Sequence, residues 1–123
     1  MTILVDANLW LRSAQPSHTQ HTQAAAAAAS LRNGGYQLIV VPQVLYEFWV
    51  VSTRPVPQNG LGFSAAKTET EMDSILRLCA MYNDDEDIFA IWRELVNKYQ
   101  IVGKRAHDVR LVAAMYGTAL AVC

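Results

Sequence analysis

Ile3-Leu4-Val5-Asp6-Ala7-Asn8-Leu9-Trp10-Leu11 changes character part-way along. Ile3, Leu4 and Val5 are an unbroken run of apolar strand formers, the pattern of a strand covered on both faces of a parallel sheet. From Ala7 to Ser13 the apolar spacing becomes helical, so Asp6 stands where strand gives way to helix. Ligands of α/β proteins gather outside the carboxyl ends of parallel strands, which puts this carboxylate where chemistry is usually done. The plainer reading of Asp6 or Asn8 is a cap on the first helix.

The rest of the chain repeats the alternation. Pro16-Ser17 breaks the first helix, and a second is expected from about His18 to Arg32, built around the alanine run Ala24 to Ala29. Asn33-Gly34-Gly35 ends it as a C-cap and turn. Tyr36 to Val41 reads as a buried strand, and Pro42 opens a third helix at its favoured first position, Gln43 to about Ser52. Arg54 to Gly62, with two prolines and two glycines, is a loop. Ser64 caps a helix through Leu78, and the acidic run Asn83 to Asp87 reads as the solvated start of another carrying Ile88, Ile91, Trp92 and Leu95. Tyr99 to Val102 is expected as a short strand. His107-Asp108 begin a helix closed by Gly117, and Thr118 to Cys123 reads as a last strand. Strands alternating with helices, without repeat or linker, predict a single α/β domain over 1–123, a layered sandwich.

Composition bounds the function. At 123 residues one proper core is possible, and 52% hydrophobic against 17% charged residues leaves little for a disordered tail and points to a buried partner surface. A homodimer is expected. The formal charge of −1 excludes attraction of nucleic acid by overall field, so contact with a polyanion has to be local or metal-mediated. Two cysteines without C-x-x-C spacing, no leader-like start and no long apolar run point to a cytoplasmic chain without disulfides or a membrane span.

Two further acids recur in places comparable to Asp6. Glu47 lies among Val44, Leu45, Phe48 and Val51 on a helix apolar nearly all round, where a lone carboxylate is costly; pairing with Arg54 or Arg110, or exposure at one helix edge, would relieve it. Asp108 falls in the first turn of its helix, where any aspartate favours the dipole. Two carboxylates about 5 Å apart repel by roughly 3 kcal/mol at an effective dielectric of 20, so three that converge call for a cation.

The chain resembles the PIN-domain nucleases, in particular the toxin members of bacterial toxin–antitoxin pairs. The carriers are Leu4-Val5-Asp6-Ala7-Asn8, Val41-Pro42-Gln43-Val44-Leu45-Tyr46-Glu47-Phe48, Thr53-Arg54-Pro55 with Asn59-Gly60-Leu61-Gly62, and His107-Asp108-Val109-Arg110-Leu111-Val112-Ala113-Ala114. The resemblance implies a PIN-like fold, a three-layer sandwich with a central parallel sheet flanked by helices, with Mg²⁺ or Mn²⁺ held by the catalytic acids Asp6, Glu47 and Asp108 and Asn8 auxiliary, cleavage of single-stranded RNA, and a cognate antitoxin. The family usually adds a fourth acidic or amide residue just after the strand that follows the His-Asp helix. This chain reaches Cys123 at about that point, and a domain lacking its C-terminal segment is expected. The alternative function is a catalytically impaired dimerisation or antitoxin-binding module.

Arg54, Lys104, Arg105 and Arg110 are candidate contacts to RNA phosphates. His18-x-x-His21 has ligand spacing but lies at a helix start without nearby cysteine or acid. No glycine-rich phosphate loop follows either early strand. A phosphoacceptor receiver domain fits poorly, since no acidic pair precedes the end of the first strand.

Overall fold

The computed structural model describes residues 2–15, 19–115 and 120–122. Strands β1 (Thr2–Leu4), β2 (Gln37–Val40), β3 (Ala80–Met81) and β4 (Leu120–Val122) form one sheet in the order β3-β2-β1-β4, and every neighbouring pair is parallel. The α-helices are α1 (Ala7–Ser13), α2 (His21–Asn33), α3 (Pro42–Thr53), α4 (Ala65–Leu78), α5 (Ile88–Lys98) and α6 (Arg105–Met115), with a 3₁₀ turn at Val56–Gln58. This is the α/β architecture that the sequence pattern predicts. No helix among the described residues is long and apolar enough to cross a membrane.

Successive side chains of a strand point to opposite faces, and both Ile3-Leu4-Val5 and Leu38-Ile39-Val40 are buried throughout. The sheet is therefore covered on both sides. Trp10 and Leu11 of α1, Val44, Leu45 and Phe48 of α3 and Ile75 of α4 join these strand residues in one core. Alanine spacing on α2 does what small side chains allow: Ala24 and Ala28, four apart, are its buried positions.

Local signals explain the boundaries. Tyr36 N–H donates to the Leu31 carbonyl and Gly35 N–H to the Arg32 carbonyl, closing α2 in a Schellman motif with Gly35 at φ 83°. Pro42 opens α3, and Ser64 Oγ accepts from the Lys67 N–H at 3.0 Å to cap α4. Two readings are corrected. Tyr99 to Val102 is not a strand: α5 ends in a second Schellman motif, with Gln100 at φ 52° and the Ile101 N–H on the Val96 carbonyl at 3.0 Å. A residue in the left-handed region cannot continue an extended ladder. The added strand is β3, whose Ala80 and Met81 pair with Ile39 and Val40. Pro16, Ser17, His18 and Gly117, and Thr118, Ala119 and Cys123 of the expected last strand, lie outside the described residues.

The loop after α3 folds back onto the helix it leaves. Leu61 and Phe63 donate their N–H groups to the Val51 and Ser52 carbonyls at 3.0 and 2.8 Å, and Gly62 donates to Arg54 at 2.9 Å. These bonds satisfy carbonyls that a helix end otherwise leaves open. A Cβ on Gly60 would lie 1.9 Å from the Arg54 carbonyl oxygen. Gly60→Ala is expected to lower stability by about 2 kcal/mol or more, read from the urea midpoint. A change below about 0.5 kcal/mol, the range of an ordinary surface substitution, would show that the loop does not hold this close approach.

Candidate active site

Parallel pairing decides where the acids come to lie. β1 and β2 run side by side in register, Leu4 opposite Ile39, and the Val5 N–H donates to the Ile39 carbonyl at 3.1 Å. The chain therefore leaves both strands at the same end, into Asp6 and α1 from one and into Val41 and α3 from the other. β4 runs parallel on the far side of β1, and α6 leads back to it. The first turn of α6, with Asp108, accordingly sits at that same end.

Asp6 is half-buried and caps α1, its Oδ1 accepting the Asn8 N–H at 3.0 Å. The cap and the strand-end position coexist. Asp108, in the first turn of α6, is exposed, and its carboxylate makes no hydrogen bond or ion pair among the described residues. Glu47 departs from expectation: it is exposed rather than enclosed by apolar neighbours. At 100° per residue, Val44, Leu45, Phe48 and Ser52 share the buried face of α3, which turns Tyr46, Glu47 and Val50 outward. Neither arginine suggested as its partner pairs with it. Arg54 Nη1 donates to the Gln58 carbonyl at 3.5 Å, and Arg110 binds Asp84 at 2.6 Å, the one ion pair among the described residues.

Glu47 and Asp108 line one cavity of about 670 Å³, with Ala7, Asn8, Gln43, Tyr46, Arg54, Lys104 and His107 on its walls. Asp6 lines an adjoining hollow of about 440 Å³ against α2, and Asn8 borders both. Asn8 is thus common to the two hollows that hold the three acids. Of the four candidate phosphate contacts, Arg54 and Lys104 line the larger cavity, Arg110 is held in its ion pair, and Arg105 is exposed at the start of α6 without lining it. His21 Nδ1 donates to the Arg12 carbonyl at 3.0 Å, a structural bond. Burial pushes the Cys79 thiol up to about 11, with Arg32 opposing, so it is a packing residue and no nucleophile.

Sequence reasoning missed Gln43. Its Nε2 donates to Glu47 Oε1 at 3.4 Å and to the His107 carbonyl at 3.2 Å, while its Oε1 accepts from Arg110 Nη1 at 2.9 Å. One amide therefore ties α3 to the start of α6 and orients Glu47. A polar residue in the first turn of a helix gives no signal of such a role, because its partners lie 64 and 67 positions away.

Carboxylate and amide oxygens without cationic partners are the donor set of a hard divalent ion, which accepts one or two carboxylates and completes its shell with water and phosphate. In chemistry the residues fit such an ion. As the side chains stand, no three His, Cys, Asp or Glu groups among the described residues are gathered so that they could hold one ion together.

No protein-family model matches the chain, and no curated protein matches it. Solved structures do. VapC20 of Mycobacterium tuberculosis, a Sarcin-Ricin loop cleaving toxin, aligns over 92% of this chain and 80% of its own with a TM-score of 0.68 and 17% identity. A chain of VapBC2 from Rickettsia felis, solved with a DNA fragment from its promoter, aligns over 98% of this chain and 86% of its own with a TM-score of 0.63 and 10% identity. The chain shares the fold of these two structures, the PIN-like fold that the motifs imply.

Replacing Gln43 with leucine is expected to lower stability by about 1 kcal/mol, the net worth of one or two hydrogen bonds. It should also raise amide hydrogen exchange at the start of α6. Unaltered exchange there would show that Gln43 does not fasten α6 to α3.

Proposed function

We propose that this chain is a divalent-metal-dependent endoribonuclease that cleaves phosphodiester bonds of single-stranded RNA, the toxin of a toxin–antitoxin pair. The observation that carries the reading is the cavity shared by Glu47 and Asp108, with Asn8 between it and Asp6 and with Lys104 and Arg54 on its walls. Unpaired acids beside cations suit a site that takes in a cation and a phosphate together. The fold shared with a Sarcin-Ricin loop cleaving toxin supports RNA as the substrate class, and the fold shared with VapBC2 supports a protein partner.

Asp6, Glu47 and Asp108 would hold Mg²⁺ or Mn²⁺, with Asn8 offering an auxiliary oxygen. When bound, the ion supplies a more acidic water and charge stabilisation at the phosphate. The chain's own residues do the rest. Lys104 and Arg54 draw the RNA backbone to the cavity mouth, because each phosphate carries a full negative charge. Gln43 fixes the orientation of the Glu47 carboxylate, and the Asp6 cap fixes Asn8 at the start of α1. A second reading, a dimerisation or antitoxin-binding module without catalysis, is favoured by one observation: the acids, as placed, are not gathered around a single ion position.

Cleavage of labelled single-stranded RNA by the purified protein in Mn²⁺ tests the proposal. EDTA should stop it, and Asp6→Asn, Glu47→Gln and Asp108→Asn should each reduce it by about 100-fold or more, as loss of a charge-stabilising group does. Melting should be little affected, since Glu47 and Asp108 are exposed and asparagine caps a helix about as well as aspartate. Cleavage that persists in EDTA, or in Asp108→Asn, overturns the nuclease site; a wild-type protein that binds an antitoxin but cuts no RNA leaves the second reading.

For assembly we propose a homodimer, because the apolar side chains of Val56, Leu76 and Leu78 remain exposed on one chain. Light scattering of the free protein should give the mass of two chains. A monomer at tens of micromolar would refute it.

A further inference from the structure

We propose that Phe89 and Trp92 form a stacking platform for one unpaired base of the RNA, next to the phosphate drawn into the acid-lined cavity. The inference rests on the nuclease reading above and adds to it the part of the substrate that is gripped.

Phe89 is 65% exposed, on the outer side of α5, and its ring stacks on Trp92 with centroids 5.9 Å apart and planes at 26°. An aromatic pair three residues apart on a helix is commonly incidental to packing. This one is built in. The Trp92 indole N–H donates to the Ala106 carbonyl of α6 at 2.7 Å, so the ring that backs Phe89 is pinned from behind. Arg110, beside it, is held by Asp84 and by Gln43 at 2.6 and 2.9 Å. A platform whose backing ring is already fixed loses less side-chain freedom when a base settles on it.

Its position selects the occupant. Phe89, Trp92, Ala106, His107 and Arg110 line a hollow of about 280 Å³, and His107 also lines the cavity that holds Glu47 and Asp108. The two spaces are neighbours across one side chain. A smaller hollow that shares Phe89, Trp92 and Arg110 is bordered by Asp84, which is paired with Arg110, and by Asp85, which has no cationic partner among the described residues and disfavours a phosphate there. An RNA strand with a phosphate near Asp108 and Lys104 therefore meets the aromatic face on the His107 side. Every base offers a π-face to such a surface, so the grip is tolerant of sequence but demands an unpaired base.

The test measures binding of a short fluorescein-labelled oligoribonucleotide to the Asp108→Asn protein, which leaves the RNA uncut. Adding Phe89→Ala should weaken binding of the single strand by about 5- to 100-fold, the range for loss of one stacked base. Phe89→Leu, which keeps apolar bulk and guards against misfolding, should weaken it similarly, and Phe89→Trp should retain it. Removing the base from one nucleotide should weaken binding to the parent protein and leave binding to Phe89→Ala unaffected. Equal affinity of the parent and both Phe89→Ala and Phe89→Leu overturns the platform while leaving metal-dependent cleavage by the wild type intact. Equal RNA affinity together with lost self-association makes the pair a protein contact and overturns it too. No RNA binding and no cleavage by the wild type overturns the nuclease reading, and this inference with it.

Discussion

The structure depends on the parallel pairing of β1, three residues long, between β2 and β4. Parallel neighbours cannot be joined by a tight turn, so each step across the sheet needs a helical crossover. That requirement places α1–α2, α3–α4 and α5–α6 between successive strands. Crossovers depart from strand carboxyl ends, which delivers Asp6 directly and Glu47 two turns later to one end of the sheet. The strand order then reverses at β1: the chain moves outward through β2 to β3 and returns to add β4 on the opposite side. Reversals of this kind open the crevice in which α/β proteins bind ligands. Here the helix leading to β4 carries Asp108 into it.

Once the backbone has brought the acids to one end of the sheet, their partners decide what they can do. Arg110, on the same helix as Asp108, is engaged by Asp84 and by the side-chain carbonyl oxygen of Gln43. That second bond fixes which end of the amide faces Glu47. Oε1 accepts from the guanidinium, so Nε2 is left to donate to Glu47 and to the His107 carbonyl. Glu47 is thus linked to Arg110 through the Gln43 amide and not by a direct ion pair. Neither cavity carboxylate therefore has an ion-pair partner among the described residues. Exposure makes this tolerable, as water screens a repulsion that would be several kcal/mol in the interior.

The fold was legible because its signals are local and redundant. Ile3-Leu4-Val5 and Leu38 to Val41 are too apolar and too short for anything but buried strands, and Pro42, Ser64 and Gly34-Gly35 mark helix ends by backbone chemistry alone. The misses have equally specific causes. β3 has two ladder residues and follows α4 with only Cys79 between, so neither length nor a turn marks it. Tyr99 to Val102 has strand-like composition, but the capping bonds of α5 put Gln100 in a left-handed conformation that composition does not report. Asp6 could be placed from its strand end and Asp108 from its first turn, whereas Glu47 lies beyond the first turn of α3. Glu47 was assigned the wrong surroundings because a helix apolar all round conceals its outward face; the exposed Tyr46 and Val50 border the cavity. Gln43 and Trp92 were illegible as functional residues, since their roles exist only through contacts made in the folded chain.

The acids also differ in how firmly they are held. Asp6 and Glu47 project from elements rooted in the main core, which draws on α1, β1, β2 and α3. α5 and α6 contribute no fully buried residue to that cluster among the described residues; only half-buried Leu111 and Ala114 of α6 pack against it. Instead the two helices pack on each other, joined by the Trp92–Ala106 bond, and meet the site through Gln43. Sparse burial at a joint means a low free energy of local opening. Asp108 is thus the acid whose position is least costly to change. A cation or phosphate that draws it towards Glu47 works against a hydrogen-bonded seam, whereas moving Asp6 or Glu47 would disturb the core itself.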